Sequence, residues 1–449
     1  MNSSDPVRHF YLWVVLITLL GLFLRTFLLR SQPASIDDYA VGLSAINYME
    51  SGQLGPTMWN HPGLRNIFIY FTMELFGSGL LGLKGISVVL GTLCIPLLGL
   101  VARRILRNET TALLAALLWA IEPLAIDFSR QAINDIYLAF FPLLGIYLAC
   151  RYRESGHQAW LIGSGLSFGC GLASKWTAFF PLAVTLSFLS ITIWKQTGEA
   201  ISLRVVRLAH VASLLVLLPL LVYLLTFIPW FGRGYGVAEW TALQQSMYRE
   251  TSQHTGYHPL AEDHRDHWAY EWFIRPVTFE DMFFTLGKTQ AEDPDAAPSF
   301  SIEKNITILL AVANPLVWLL VLPATVYLAI RGVRGRDEGL CYLAALFLFS
   351  YLPLALATRP IWVDTALSVL PFAIMAVAYL ITTVIRRPSA WKRLVLFYSA
   401  LVVITSIPLY VLVIGQGFKA PILKGYLLRN YAEKAVQTPD SDKTPSERR

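Results

Sequence analysis

Charge is scarce in this 449-residue sequence: Asp, Glu, Lys and Arg make up 15% of it, against 55% hydrophobic residues. A water-soluble globular chain carries roughly a quarter charged residues, so the composition excludes a soluble domain and, equally, a disordered chain. Cysteine is nearly absent. Cys94, Cys150, Cys170 and Cys341 all sit in apolar stretches, where the residue behaves as a small hydrophobe. No CxxC pair exists, which removes support for a zinc ribbon, a redox motif or a disulfide-stapled secreted domain. No internal repeat is visible either, so an inverted-repeat transporter has little support.

What is present is a series of long apolar blocks, near residues 10–29, 79–101, 111–127, 131–150, 159–175, 176–194, 208–229, 306–330, 340–358, 363–385 and 394–415, with a mean hydropathy of +0.52 for the chain. Each approaches the ~20 residues that a helix needs to cross the hydrocarbon core. They predict an all-α polytopic membrane protein with about eleven transmembrane helices. The first block is longer than a signal-peptide core and lacks a small-residue cleavage site, so it reads as a retained span.

The pI near 9.0 and net charge of +6 raise the question of a polyanionic partner. The position of the charges answers it. Arg8, then Arg103, Arg104 and Arg107, then Arg151 and Arg153, then Lys195, Arg204 and Arg207 fall in alternate loops, as do Arg331, Arg334 and Arg336, and later Arg386, Arg387, Lys392 and Arg393. The positive-inside rule makes that face cytoplasmic. The basic surplus is therefore mostly a topology signal, and no nucleic-acid partner is expected.

Two long segments, 30–78 and 230–305, then belong to the outer face. The first places Tyr39, Leu43, Ile46 and Met49, then Ile67, Tyr70, Phe71 and Leu75, at helical spacing, which predicts two amphipathic helices in the membrane interface. The organisation expected is an N-terminal transmembrane module over 1–229, an outer loop over 230–305, further spans over 306–415, and a polar tail over 416–449 that is partly disordered.

Few residues can carry chemistry. Asp37 and Asp38 follow the first span; adjacent carboxylates there can hold a metal, act as a base or cap the helix that begins at Tyr39. His61-Pro62 follows in the same loop. Ser129-Arg130 and Asp135 form an outer turn, where an in-span carboxylate is usually paired or functional; an Arg130–Asp135 ion pair pinning the hairpin and direct participation in catalysis both fit. Lys175, beside Trp176, is either a snorkelling interfacial lysine or a phosphate contact, and Arg275 and Arg359 are further cations on that face. His254, His258, His264 and His267, with Glu262, Asp263 and Asp266, could form a metal site but match no zinc spacing. Arg25 and Glu122 are in-span charges for which structural pairing is the default. The candidates all fall on one face under a topology set by other residues.

In this order the motifs resemble the dolichyl-phosphate-mannose–protein mannosyltransferase family (glycosyltransferase family 39) and its bacterial relatives. The resemblance rests on Asp37-Asp38 after the first span, His61-Pro62-Gly63-Leu64 in the first outer loop, Ser129-Arg130 with Asp135, Leu138, Phe140 and Phe141, the stretch 80–153, the Lys-bearing turn 171–175, and Asn314-Pro315 with Trp318. It covers residues 1–200 well and the rest loosely. Here Asp-Asp replaces the family's Asp-Glu, Gly63 replaces its second Pro, and the outer loop is too short for the extra lumenal domain of eukaryotic members.

The resemblance implies a GT-C-like bundle, a polyprenyl-phosphate-linked sugar as donor, a protein, lipid or glycan hydroxyl as acceptor, and inverting transfer on the outer face of a bacterial or archaeal plasma membrane. Asp37 is the expected general base, with Asp38 orienting the site or helping to hold a divalent metal (Mg, Mn or Zn, with Asp37, Asp38 and His258 as candidate ligands). Arg130 and Lys175, with Arg275 and Arg359 behind them, are expected at the donor phosphate. Asp135 would orient Arg130 or the acceptor, and His61 and Pro62 would shape the loop. A transporter or lipid-linked-sugar flippase is the alternative from another class, and a noncatalytic assembly scaffold is the third.

Overall fold

A computed structural model describes residues 6–31, 36–55, 59–196, 198, 200–253, 268–274, 277–287, 301–357, 361, 363–386 and 390–414. The chain opens with α1 (Pro6–Thr26), then α2 (Ile36–Ser51) and α3 (Leu64–Phe76) in the first long connecting segment. A helical run follows: α4 (Leu80–Leu106), α5 (Glu109–Ile121), α6 (Pro123–Phe128), α7 (Asp135–Ser155), α8 (Gln158–Leu172), α9 (Phe179–Trp194) and α10 (Ile201–Leu225). The second long segment carries α11 (Ile228–Gly232), α12 (Val237–Gln253) and two strands, β1 (Val277–Gly287) and β2 (Ser301–Val312). The last four helices are α13 (Pro315–Gly335), α14 (Glu338–Ala355), α15 (Leu370–Ile385) and α16 (Ala390–Val413).

Among the described residues, eight of these helices are long and apolar enough to cross a membrane: α1, α4, α7, α9, α10, α13, α14 and α16. The shorter α5, α8 and α15 occupy the remaining apolar blocks. The protein is a multi-pass integral membrane protein. Burial separates its centre from its rim: 67% of the apolar window of α4 and 61% of that of α7 are buried, against 17% for α10 and 11% for α16. Leu217, Leu220, Leu221 and Leu224 on α10 are exposed. Such a face is stable in hydrocarbon and not in water, as expected for helices apolar on all sides.

Local chemistry punctuates the run. Asn108 accepts a hydrogen bond from Thr111 N–H to cap α5, Asp337 accepts from Gly339 and Leu340 N–H to cap α14, and Asn314 accepts from Leu316 N–H to cap α13, each satisfying donors left open by the first turn. Glu122 caps no cation; it accepts Asn314 N–H at 2.8 Å, tying the junction of α5 and α6 to the start of α13. Arg25 is fully buried and donates to Ser129 Oγ at 3.0 Å and to Gly21 and Ala120 carbonyls. Both in-span charges are structural, but among the described residues they meet backbone groups and a hydroxyl instead of opposite charges.

The two interfacial helices form, with a face the apolar spacing did not indicate. On α2 the buried positions are Asp38, Val41, Ala45 and Tyr48, while Tyr39 and Leu43 are exposed. On α3, Arg65, Asn66 and Ile69 are buried, whereas Phe71 and Leu75 are exposed. Both helices thus bury a mixed face, polar at Asp38, Arg65 and Asn66 and apolar at Val41, Tyr48 and Ile69, and leave Tyr39, Leu43, Phe71 and Leu75 exposed. The strands β1 and β2 pair antiparallel, from Val277 opposite Val312 to Gly287 opposite Ser301. This ribbon adds to the helical bundle; β2 runs to Val312, so the start of the apolar block 306–330 is strand and α13 begins only at Pro315.

Candidate active site

Asp38 sits in the first turn of α2 and is completely buried. Its Oδ2 lies 2.8 Å from Lys84 Nζ, in the first turn of α4, and its Oδ1 accepts the Ala132 N–H at 2.7 Å. One carboxylate therefore ties α2, α4 and the turn before α7 together. A buried charge is tolerable only with such a full set of partners. Lys84 was missed by the sequence reading, although a lysine inside the apolar block 79–101 was a sufficient signal: an ionisable residue in a span is a functional or pairing site by default.

The second pair is Asp135 with Lys175. Lys175 Nζ donates to Asp135 Oδ1 at 2.8 Å and to Thr365 Oγ1 at 3.4 Å. Asp135 opens α7, Lys175 precedes a 3-10 turn at Trp176–Ala178, and Thr365 lies in another at Val363–Ser368. The expected Arg130–Asp135 hairpin pair gives way to this arrangement. Arg130 turns instead toward the end of α1, where its Nη1 donates to the carbonyls of Arg25 at 3.1 Å and Phe27 at 2.8 Å. Asp135 therefore orients Lys175, not Arg130. Thr365 carried no signal in the sequence; a threonine in an apolar context is ordinarily a filler.

Arg130 is fully buried, and burial lowers the pKa of its guanidinium, an effect opposed by Tyr410 and Asp127. A cation held there against desolvation favours an anion as neighbour. Tyr48, on α2, is pushed above the usual phenol range by burial and by Tyr223, so it stays neutral. Its ring fills the space beside Gly63: a Cβ at Gly63 would come within 2.5 Å of it. The family's second Pro is thus replaced where Tyr48 leaves no room for a side chain.

His61 and Pro62 precede α3, and Leu64 N–H donates to the Ala173 carbonyl at 3.2 Å. The loop before α3 is in this way fastened to the turn that carries Lys175. Around it lie buried polar atoms with no partner among the described residues: both amide atoms of Asn134, Asn66 Nδ2 and the Tyr137 hydroxyl. Asp37 belongs to the first turn of α2, but its side chain lies outside the described residues, as do Arg275, Arg359, His258 and the rest of the histidine-bearing segment 254–267. No group of three His, Cys, Asp or Glu side chains converges among the described residues. Asp38 has one oxygen on Lys84 and the other on a backbone N–H.

A separate set of charges marks the other end of the bundle. Arg104 pairs with Glu154, Arg153 with Glu338 at 2.7 Å and Lys195 with Glu338 at 3.3 Å. These pairs draw together the loops that the charge pattern assigned to one face. Lys84 and Arg104 share α4, so at 1.5 Å per residue they stand about 30 Å apart along its axis. The carboxylate–lysine pairs and the arginine-rich loops thus lie at opposite ends, one hydrocarbon thickness from each other.

Residues 72–232 match the model of the dolichyl-phosphate-mannose-protein mannosyltransferase family. The segment resembles that family. A polyprenol-phosphate-mannose–protein mannosyltransferase of Mycolicibacterium smegmatis is 22% identical over 415 residues, covering 79% of this chain and 78% of that one. Among solved structures, the Saccharomyces cerevisiae protein O-mannosyltransferase Pmt1-Pmt2 complex bound to the sugar donor shares the fold with a TM-score of 0.64 at 12% identity, covering 93% of this chain and 91% of that chain. The oligosaccharyltransferase AglB of Archaeoglobus fulgidus, in complex with an inhibitory peptide and a dolichol-phosphate, gives a TM-score of 0.55 at 14% identity; the match covers 98% of this chain and 59% of that one. The expected GT-C bundle is the fold observed. The matched segment contains Lys84, Arg130, Asp135 and Lys175 but begins after Asp38.

Proposed function

We propose that this chain is an integral-membrane glycosyltransferase that moves a sugar, mannose-like by analogy with its relatives, from a polyprenyl-phosphate carrier to a hydroxyl of a protein, lipid or glycan acceptor. The observation that carries the reading is the meeting of two buried carboxylate–lysine pairs and a buried arginine at one end of the bundle, within a mannosyltransferase-family segment. The names of the relatives support a polyprenyl-phosphate donor. The positive-inside rule puts this end of the bundle on the outer face.

The chemistry is an in-line displacement with inversion. The acceptor O–H gives its proton to a general base, its oxygen forms a bond to the sugar's anomeric carbon, and the bond from that carbon to the phosphate oxygen breaks with its electron pair leaving on the phosphate. Asp37 takes the proton. Lys175, held by Asp135 and Thr365, and Arg130 offset the negative charge that grows on the departing phosphate. Asp38 acts at one remove: by holding Lys84 and the Ala132 N–H it fixes the helix turn that presents Asp37.

The deciding experiment is transfer from a synthetic polyprenyl-phosphate mannose to peptide, lipid and glycan acceptors by the full chain in detergent, with Asp37→Asn beside it. Product formed by the wild type and lost in the folded variant supports the reading. Absence of transfer from every polyprenyl-phosphate sugar tried, or full activity in Asp37→Asn, overturns the donor or the base respectively.

A further inference from the structure

At the end of the bundle opposite the candidate active site, a cavity of about 330 Å³ opens between α4, α7, α9 and α14. Its wall has two chemistries. Arg104, Arg107, Arg153 and Glu154 line one side, and Phe188 and Tyr342, stacked at 4.0 Å, line the other. The three arginines outnumber the single lining carboxylate, and that carboxylate is engaged by Arg104. Arg153 is held by Glu338 and lies over the Phe188 ring at 4.8 Å, which fixes its guanidinium at the cavity.

Two details leave cationic groups available at the cavity. The Arg104 Nε is buried and has no acceptor among the described residues, an expensive state for a charged donor. Arg107 is exposed at the rim with φ of 51°, a left-handed helix cap at which glycine is the ordinary residue. A cation is kept at a position that backbone sterics would give to glycine. Both features have a use if an anion enters the cavity.

We propose that this cavity binds the phosphodiester headgroup of one anionic lipid from the adjoining leaflet, with Arg104 and Arg107 on the phosphate and Phe188 and Tyr342 against the glycerol and first acyl carbons. The level of the cavity argues for a lipid as the source: it lies at the ends of membrane-spanning helices, about 30 Å along α4 from Lys84, where headgroups stand. Basic pockets between helices on such a face attract anionic headgroups, each nearby Lys or Arg adding to the attraction. This inference rests on the membrane orientation of the helices and not on the transfer reaction.

The test uses the full chain purified in detergent, with native mass spectrometry and thermal unfolding in the presence of dioleoyl phosphatidylglycerol, dioleoyl phosphatidylcholine or inorganic phosphate. The expected result is one retained phosphatidylglycerol and a raised Tm, with neither effect from phosphatidylcholine. Arg107→Gly relieves the left-handed backbone, so the variant folds, and it is expected to hold the lipid about fivefold more weakly; Arg153→Gln is the companion. Equal retention of phosphatidylcholine, a Tm shift reproduced by inorganic phosphate alone, or undiminished phosphatidylglycerol binding by folded Arg107→Gly would each overturn the assignment. Transfer activity plays no part in the readout, so its absence leaves this outcome intact.

Discussion

Asp38 and Lys84 meet at 2.8 Å with both side chains wholly shielded from solvent, and this contact joins an interfacial helix to the first turn of a central span. The pair does two things at once. It pins α2 beside the turn that carries Arg130, and in the proposed mechanism it leaves the base role to Asp37.

Breaking that pair from one side should be far worse than removing it whole. Lys84→Met leaves a buried carboxylate without its cation, which typically costs about 3–5 kcal/mol. The double variant Asp38→Asn/Lys84→Met should recover most of that loss. Thermal unfolding of the three proteins in one detergent measures it. Equal destabilisation of single and double variants would mean the pair is not coupled.

Asp37→Asn is expected to lower the transfer rate by about 10²–10⁴-fold, the usual contribution of a positioned base, with unfolding changed by no more than about 0.5 kcal/mol. Rate and Tm are to be measured on the same preparation. A rate that falls in step with Tm would make Asp37 structural.

Lys175→Ala should weaken donor binding and slow transfer together, because in the proposed mechanism its ammonium serves both the ground-state phosphate and the leaving group. A charge-assisted hydrogen bond contributes about 1.5–3 kcal/mol, so the expected loss in kcat/KM is roughly 10–100-fold. Thr365→Val, which removes the 3.4 Å contact to Lys175 and the 3.5 Å hydrogen bond to Asp364 but keeps the ammonium, should cost less. Larger loss from Thr365→Val than from Lys175→Ala would reverse the roles.

Gly63→Ala should destabilise the protein by about 1–3 kcal/mol, since an added methyl meets the Tyr48 ring and overpacking carries that cost. Trimming the ring in Tyr48→Leu should restore tolerance of alanine at position 63. A double-mutant cycle on Tm reads the coupling, and strict additivity would show that the two residues do not compete for the space.

The orientation is open to a labelling test. With the four cysteines replaced, Arg107→Cys should react with a membrane-impermeant maleimide only in inside-out vesicles and Glu250→Cys, on α12, only in intact cells. Reactivity in the opposite compartments would invert the topology.

Much of this protein was legible in its order of residues. Apolar length marks spans without reference to neighbours, because the bilayer imposes the same requirement on each helix. Charge sorts loops by side for the same reason, and Arg104, Glu154, Arg153 and Glu338 do meet at one end as their loops suggested. The turns at Arg130 and Lys175 were found because charges near spans are costly and few. Lys84 was legible too, but only by applying that rule to a lysine that looked like part of a span's edge.

The sequence by itself determined that the chain crosses a membrane, which loops share a face, and which short stretches carry the candidate residues, since these depend on local composition and on a solvent common to all helices. Only the tertiary structure decided who pairs with whom. Asp135 takes Lys175 and leaves the nearer Arg130 to the carbonyls of α1; Asp38 takes Lys84; α2 buries Val41 and Tyr48 and leaves Tyr39 outside. Each choice is a matter of a few ångströms between residues remote in the chain, and ion pairing falls off with distance in space, not along the sequence.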